Sequence, residues 1–363
     1  MTTTLFSPLR LGKLELHNRI VISPMCQYSA EAGRATDWHR LHWGSYALSG
    51  AGLMMVEATG VSPEGRITPG CVGLWDDETE AAMASALAFA RQFSDMPFGL
   101  QLGHAGRKAS TARPWHGGHV APEAGGWQVV GPSAIPFAEG WQTPLALDET
   151  GIEKVIADYS AAAKRALRLG FDTIEIHGAH GYLLSSFLSP IANRREDAWG
   201  GSLENRMRLP LAVFDAVRSA CPSDFPVGMR LNGTDWLEGG IVPDEAVALA
   251  HALRDHGCDY VDISSGGNGM AKIPVGPAYQ LPFASRIKRE VGIPVLTVGM
   301  IRSPLHAEAI IATGDADAVA LGRVALNNPR WPWHAAEELG VKLDVVAPYR
   351  FGATNQYRPT FGR

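Results

Sequence analysis

The sequence predicts a closed (β/α)8 barrel of the TIM type with one long insertion after its third strand. Three observations carry that expectation: eight short apolar runs, helix-patterned segments between most of them, and glycines where a helix hands over to the next strand. A doubly wound open sheet shows the same alternation and is the alternative.

The apolar or β-rich runs are Ile20–Ser23, Leu53–Ala58, Phe98–Leu102, Thr173–His177, Val227–Leu231, Tyr260–Ser264, Val295–Val298 and Ala318–Leu321. Stretches such as GLMMVEA are continuously apolar, as strands buried on both faces must be. Helical spacing of apolar residues covers Glu78–Phe93, Ile152–Leu169, Leu203–Ala220, Asp244–His256 and Pro304–Thr313. Gly170 and Gly257 stand where a left-handed residue ends a helix before a buried strand. From Gly103 to Leu147 the chain is rich in Gly, Pro and Trp and loses the strand–helix rhythm. It predicts an insertion covering the active-site mouth.

A chain of 363 residues with near-average apolar content buries a full core, and a single domain over residues 1–363 is expected. The formal net charge of -5 comes from intermixed acids and bases with no basic block. That balance argues against nucleic acid or an anionic membrane as partner and leaves a small molecule. The N-terminal stretch MTTTLFSPLRLGKLELHNR is interrupted by Pro8 and by charges, and nothing later approaches a membrane span, so a cytoplasmic location is expected. Cys26, Cys71, Cys221 and Cys258 show no paired spacing. No zinc knuckle, iron–sulfur cluster or disulfide framework is expected, and each thiol is read alone.

In such a barrel, reactive side chains collect at the C-terminal strand ends. Ser23-Pro24-Met25-Cys26-Gln27-Tyr28 follow the first run, Gln101 and His104 the third, and His177-Gly178-Ala179-His180-Gly181-Tyr182 the fourth. Two imidazoles three residues apart serve as metal ligands, as an acid–base pair, or as donors to a bound anion or carbonyl. A metal needs a third ligand; Glu175 is read on the opposite strand face and Glu57 is unplaced, so no metal is expected. One histidine alone would be a buried residue satisfied by backbone, but two with a tyrosine in one glycine-rich turn favour function. Arg230 ends a buried strand and needs an anionic or electron-rich partner, an internal carboxylate being the plainer reading. Gly299 and Gly322-Arg323 follow the seventh and eighth runs, where barrels bind phosphate. Cys26 is either an ordinary buried thiol or a sulfur that tunes a redox group.

The strings PMCQYSAEAGRATDWH, VEATGVSPEGRITPG, QLGHAGRKAS, IHGAHGYLLSSFLSPIANRREDAWGGSLENRMR and LGRVALNNP together resemble the old yellow enzyme family. The likeness is greatest to its bacterial, thermophilic-like class, which includes the xenobiotic reductases, and it runs in order from Leu5 to about His334. The resemblance implies tightly but non-covalently bound FMN, with Ser23, Pro24, Met25 and Cys26 along the flavin and Gly60 and Gln101 touching its ring. Arg230 would face the N1/O2 edge, and Gly322 and Arg323, with Gly299 beside them, the phosphate. His177 and His180 would donate to a substrate carbonyl, a contribution of about 3 kcal/mol for one such donor. Tyr182 would protonate the α carbon and Tyr28 would touch the substrate from the other side.

The implied reaction is reduction of activated alkenes, α,β-unsaturated carbonyl compounds among them, with NADPH or NADH as hydride donor and ping-pong kinetics. Two positions depart from the family pattern: Gly60, where alanine is commoner, and Trp199, where tyrosine is usual. Residues 338–363 are expected to reach a neighbouring subunit of a homodimer or homotetramer, through Arg350 or, in the favoured alignment, Arg358. The rival readings are a metal-assisted hydrolase or lyase built on the histidines, and a catalytically idle flavin-binding barrel. A dienoyl-CoA reductase, whose larger relatives add an iron–sulfur cluster, is disfavoured by the dispersed cysteines.

Overall fold

The computed structural model describes residues 3–350. Its centre is a closed barrel of eight parallel strands: β1 (Ile20–Ile22), β2 (Leu53–Gly60), β3 (Phe98–Gly103), β4 (Thr173–Gly178), β5 (Val227–Asn232), β6 (Tyr260–Ser264), β7 (Val295–Val298) and β8 (Ala318–Leu321). Closure is made by β8 against β1, with Val319 opposite Ile20 and Leu321 opposite Ile22. That pairing excludes the open sheet, which leaves two free edges. All eight strands fall on the apolar runs read from the sequence.

Side chains of opposite size fill the barrel floor. An added Cβ at Gly228 would stand 2.3 Å from the Tyr260 ring, and one at Gly99 would stand 2.7 Å from Met55 Sδ. The glycines therefore make room for the large neighbours across the barrel. Beneath them an N-terminal hairpin, Leu9–Leu11 paired antiparallel with Leu14–Leu16, closes the bottom. Leu9, Leu11 and Leu16 pack with Val21, Leu53, Met55, Tyr260 and Leu296. The apolar floor places the chemistry at the other end.

The outer faces of the strands pack against helices whose ends have identifiable causes. In Glu149–Leu169, the Asp148 carboxylate accepts from Gly151 N–H at 2.8 Å, and Gly170 at φ 77° ends the helix. Asp77–Arg91 begins in a capping box in which Asp76 and Thr79 exchange side-chain and backbone hydrogen bonds. The five helices read from the sequence are present within two or three residues of their expected ends.

Two further helices continue the alternation, Asp37–Ala47 and Leu281–Val291, and Trp331–Glu338 after β8 completes it. The first buries His39, Trp43, Gly44, Tyr46 and Ala47, a face with little aliphatic content. The second buries Ala284 and Ser285 beside Ile287 and Val291. Small and polar residues on the buried side weaken the apolar stripe by which helices are found in sequence.

Candidate active site

The loop after β4 is the most constrained part of the site. His180 adopts φ 61° and Gly181 φ 71°, a left-handed turn unusual for a non-glycine residue. Asn232, at the end of β5, fixes it by accepting the His180 backbone N–H at 3.1 Å. The Asn232 side-chain amide in turn donates to Gly266 O at 2.7 Å. Residues from β4, β5 and the loop after β6 thus set the direction of one imidazole.

Hydrogen bonds define the tautomers of both rings. His177 Nδ1 accepts from Ala179 N–H at 3.2 Å, so its proton sits on Nε2, 3.3 Å from His180 Nδ1. His180 then carries its proton on Nε2, 2.7 Å from Ser264 Oγ, whose own hydroxyl reaches Gln280 Oε1 at 3.2 Å. Burial first, and then the Arg230 cation, push both histidines well below the usual imidazole range. Both are neutral at pH 7, and each presents one N–H donor.

Tyr182 completes the group, its ring perpendicular to His177 with centroids 4.9 Å apart. Burial holds its hydroxyl well above the usual phenol range, so it remains a proton carrier. Lys108, which the sequence reading did not single out, donates to His180 O at 2.7 Å and lies over the Tyr182 ring at 5.1 Å. Desolvation and the adjacent Arg107 bring its ammonium down to about 8. Its only sequence signal was the Arg-Lys pair inside QLGHAGRKAS, at the start of the insertion.

Beside this cluster a cavity of ≈ 280 Å³ is lined by Ser23, Pro24, Met25, Arg230, Ser264, Gly299, Gly322 and Arg323, among others. It unites seven of the residues expected to hold a cofactor. At its rim, Arg302 and Arg323 approach the same Met300 sulfur, at 3.7 and 3.3 Å. Arg302 was not foreseen; a cation three residues beyond Gly299 was the available signal. Gly299 has φ 126°, and a Cβ there would press within 3.1 Å of Tyr279 and Gln280. Of the remaining expected residues, Gly60 lines a narrow pocket with His177 and Tyr182, while Gln101 and Cys26 line neither space.

Arg230 meets the internal carboxylate of the plainer reading and faces the cavity as well. Its Nε lies 3.0 Å from Asp262 Oδ2, although the angle does not make a hydrogen bond, and the guanidinium also borders the cavity. Glu175 faces inward two residues before His177 and accepts from Gln101 at 2.7 Å. This corrects its expected position on the opposite face. Burial, reinforced by Asp262, raises the Glu175 carboxyl to about 8.

Glu57, the unplaced acid, is taken by His39 at 3.1 Å. Among the described residues no group of three His, Cys, Asp or Glu side chains is placed to hold a metal. All four cysteines are free thiols, and Cys71 Sγ accepts from the Thr68 backbone N–H at 3.4 Å. Tyr28 adopts φ 53° and stands edge-on to Trp115 at 6.0 Å. At Gly60 an added Cβ would stand 3.1 Å from Arg66 Cγ and 3.2 Å from Ser62 O, so alanine there would need these neighbours to give by a few tenths of an ångström. Arg350 is exposed, with its guanidinium 3.8 Å from Asp344, and Arg358 lies outside the described residues.

The cavity fits FMN on its own chemistry. Ser23 Oγ is buried there without a hydrogen-bond partner among the described residues. Arg230 offers a cation to an electron-rich ring edge, and two guanidinium groups at the rim suit a phosphate. A barrel with such a cavity next to neutral histidines and a protonated tyrosine defines a flavin-dependent oxidoreductase.

Comparison with known proteins agrees. Residues 4–341 match the NADH:flavin oxidoreductase / NADH oxidase family. An NADPH dehydrogenase of Geobacillus thermodenitrificans is 42% identical over 354 residues, covering 97% of this chain and 99% of that protein. The structure of morphinone reductase superposes with a TM-score of 0.78 at 31% identity, covering 96% of this chain and 93% of that one. An old yellow enzyme homologue from Zymomonas mobilis gives 0.76 at 26% identity, covering 98% and 99%. The chain belongs to the NADH:flavin oxidoreductase family, the old yellow enzymes. It is an NAD(P)H-dependent flavin oxidoreductase, and FMN is its cofactor. No helix among the described residues is long and apolar enough to cross a membrane.

Proposed function

We propose that the protein is an ene-reductase, taking hydride from NADPH and reducing the activated C=C bond of small α,β-unsaturated carbonyl compounds. The observation that carries this reading is the pairing of two neutral histidine donors with a protonated tyrosine beside the cofactor cavity. FMN, when bound, supplies the two-electron relay between the nicotinamide and the alkene.

The chain's own residues prepare the substrate. His177 and His180 direct their Nε2–H groups to the carbonyl oxygen in place of their contacts to His180 Nδ1 and Ser264 Oγ. They stabilise the enolate-like charge that grows on that oxygen, and neutral rings in a desolvated site hold it without reorganisation. Tyr182 then delivers its hydroxyl proton to the α carbon. Tyr28 packs against the substrate from the opposite loop, and Lys108 holds the turn that aims His180. Self-association as a homodimer or homotetramer, with Arg358 of one subunit entering the site of another, belongs to the same proposal.

The test is anaerobic. NADPH is added to purified protein until the flavin absorbance bleaches, and cyclohexenone follows. Recovery of the oxidised spectrum with formation of cyclohexanone is expected. A bleached flavin that cyclohexenone leaves reduced would overturn the reading.

A further inference from the structure

The left-handed turn that carries His180 is strained, and backbone of that kind persists only where its surroundings hold it from several sides. Here the hold converges on one carboxylate. Asp235, in the loop after β5, is fully buried, and its two oxygens accept from four donors. Oδ2 takes the Ser189 hydroxyl at 2.6 Å and the Ile241 N–H at 2.9 Å. Oδ1 takes the Asn232 amide at 3.2 Å and the Asn268 amide at 2.9 Å. Four donors compensate a carboxylate taken out of water.

Both amides lead to the turn. Asn232 Nδ2 faces two groups that can only accept, Asp235 Oδ1 and Gly266 O, which leaves its own oxygen for the His180 N–H at 3.1 Å. Asn268 Nδ2 also donates to Ser185 Oγ at 3.0 Å, and that hydroxyl oxygen accepts the Gly181 N–H at 3.2 Å. The N–H groups of both left-handed residues are thus tied back to Asp235. The fit leaves no slack, since a Cβ added at Gly181 would stand 1.9 Å from Gly267 O.

We propose that Asp235 is a positioning residue for the reaction: its carboxylate orders the amides that hold the His180 turn and so aims the imidazole at the substrate carbonyl. The inference rests on the proposed ene-reduction for its chemistry and on these hydrogen bonds for its geometry. No neutral isostere takes the place of the carboxylate. In Asp235→Asn the new NH2 group faces either the Ile241 N–H or the NH2 groups of Asn232 and Asn268, donor against donor. Relief of that clash frees one side of the turn.

The experiment reduces flavin-loaded Asp235→Asn photochemically without oxygen and mixes it with cyclohexenone or, separately, with ferricyanide, which takes electrons from the flavin with no carbonyl to polarise. Reoxidation by cyclohexenone is expected to slow about 10²-fold and reoxidation by ferricyanide to be unchanged. Hydrogen–deuterium exchange in peptides spanning His177–Tyr182 should quicken. Asn232→Asp is the second variant, with a carboxyl oxygen where Nδ2 stood, 3.2 Å from Asp235 Oδ1. Like charges so close do not both ionise at low pH, and the proton they keep replaces the lost Nδ2–H. Its cyclohexenone rate, relative to the unsubstituted protein, should be near one at pH 6 and fall about tenfold at pH 9. Equal slowing of Asp235→Asn with both oxidants, unchanged exchange, or a pH-independent ratio in Asn232→Asp would overturn the inference and leave ene-reduction standing. An unsubstituted protein that ferricyanide reoxidises and cyclohexenone does not would instead sink the ene-reduction, and the exchange measurement still decides whether Asp235 holds the turn.

Discussion

Arg230 and Asp262 stand opposite one another on β5 and β6, with Nε 3.0 Å from Oδ2, both inside the barrel. The pair anchors a cation at the cavity wall while the second Asp262 oxygen has no hydrogen-bond partner among the described residues. Burial raises the Asp262 carboxyl despite the neighbouring guanidinium. Replacing Asp262 with alanine strands that guanidinium without a counter-ion. A loss of about 3 kcal/mol is expected, read as a lower midpoint in urea denaturation of the flavin-loaded protein.

His177→Ala combined with His180→Ala removes both ring donors and leaves the cavity wall intact. Turnover of cyclohexenone per bound flavin should fall about 10²- to 10³-fold, with FMN retention nearly unchanged in the absorbance ratio of purified protein. Loss of flavin with normal turnover per remaining flavin would make the rings structural.

Tyr182→Phe keeps the ring against His177 and deletes the hydroxyl. A fall in kcat for alkene reduction of about 10²-fold is expected, while anaerobic bleaching of the flavin by NADPH proceeds as before. Equal losses in both half-reactions would contradict a role in protonation.

Stability should peak near neutral pH, for reasons of opposite sign. His177 and His180 are held below their unfolded value near 6.5, and His42 and His104 are brought down to about 4. The folded state therefore binds fewer protons than the unfolded one, and stability is lost as pH falls below about 6.5. Glu175 behaves oppositely. Its folded value of about 8 exceeds the unfolded 4.5, so the stability it contributes is full below 4.5 and is lost as pH rises toward 8. Glu175→Gln should flatten the alkaline side, adding on the order of a few kcal/mol at pH 8.5 relative to pH 5. Thermal denaturation across pH checks both limbs.

The strands were legible because a parallel barrel buries both of their faces, leaving continuous apolar runs such as Leu53–Val56. Helices with strong caps, Asp148 and Asp76 among them, were legible for local reasons. Asp37–Ala47 was not, because His39, Gly44 and Tyr46 occupy its buried face. In the site, His177, His180 and Tyr182 share one short turn and could be found together. Lys108 and Arg302 come from separate loops, Asn232 and Ser264 from the ends of β5 and β6, and the four carry no shared spacing.

By itself, the sequence determined the alternation of strand and helix, the turn that bears the histidines and tyrosine, and the family whose motifs it shares. These are properties of neighbours along the chain, set by periodicity, capping and local backbone geometry. Tertiary structure alone decided that Arg230 finds Asp262, that Glu57 is spent on His39, and that Glu175 faces inward to meet Gln101. Each of these joins residues on different elements of the barrel. Barrel closure fixes such distances, and burial, by removing water, decides which charges and protons survive there.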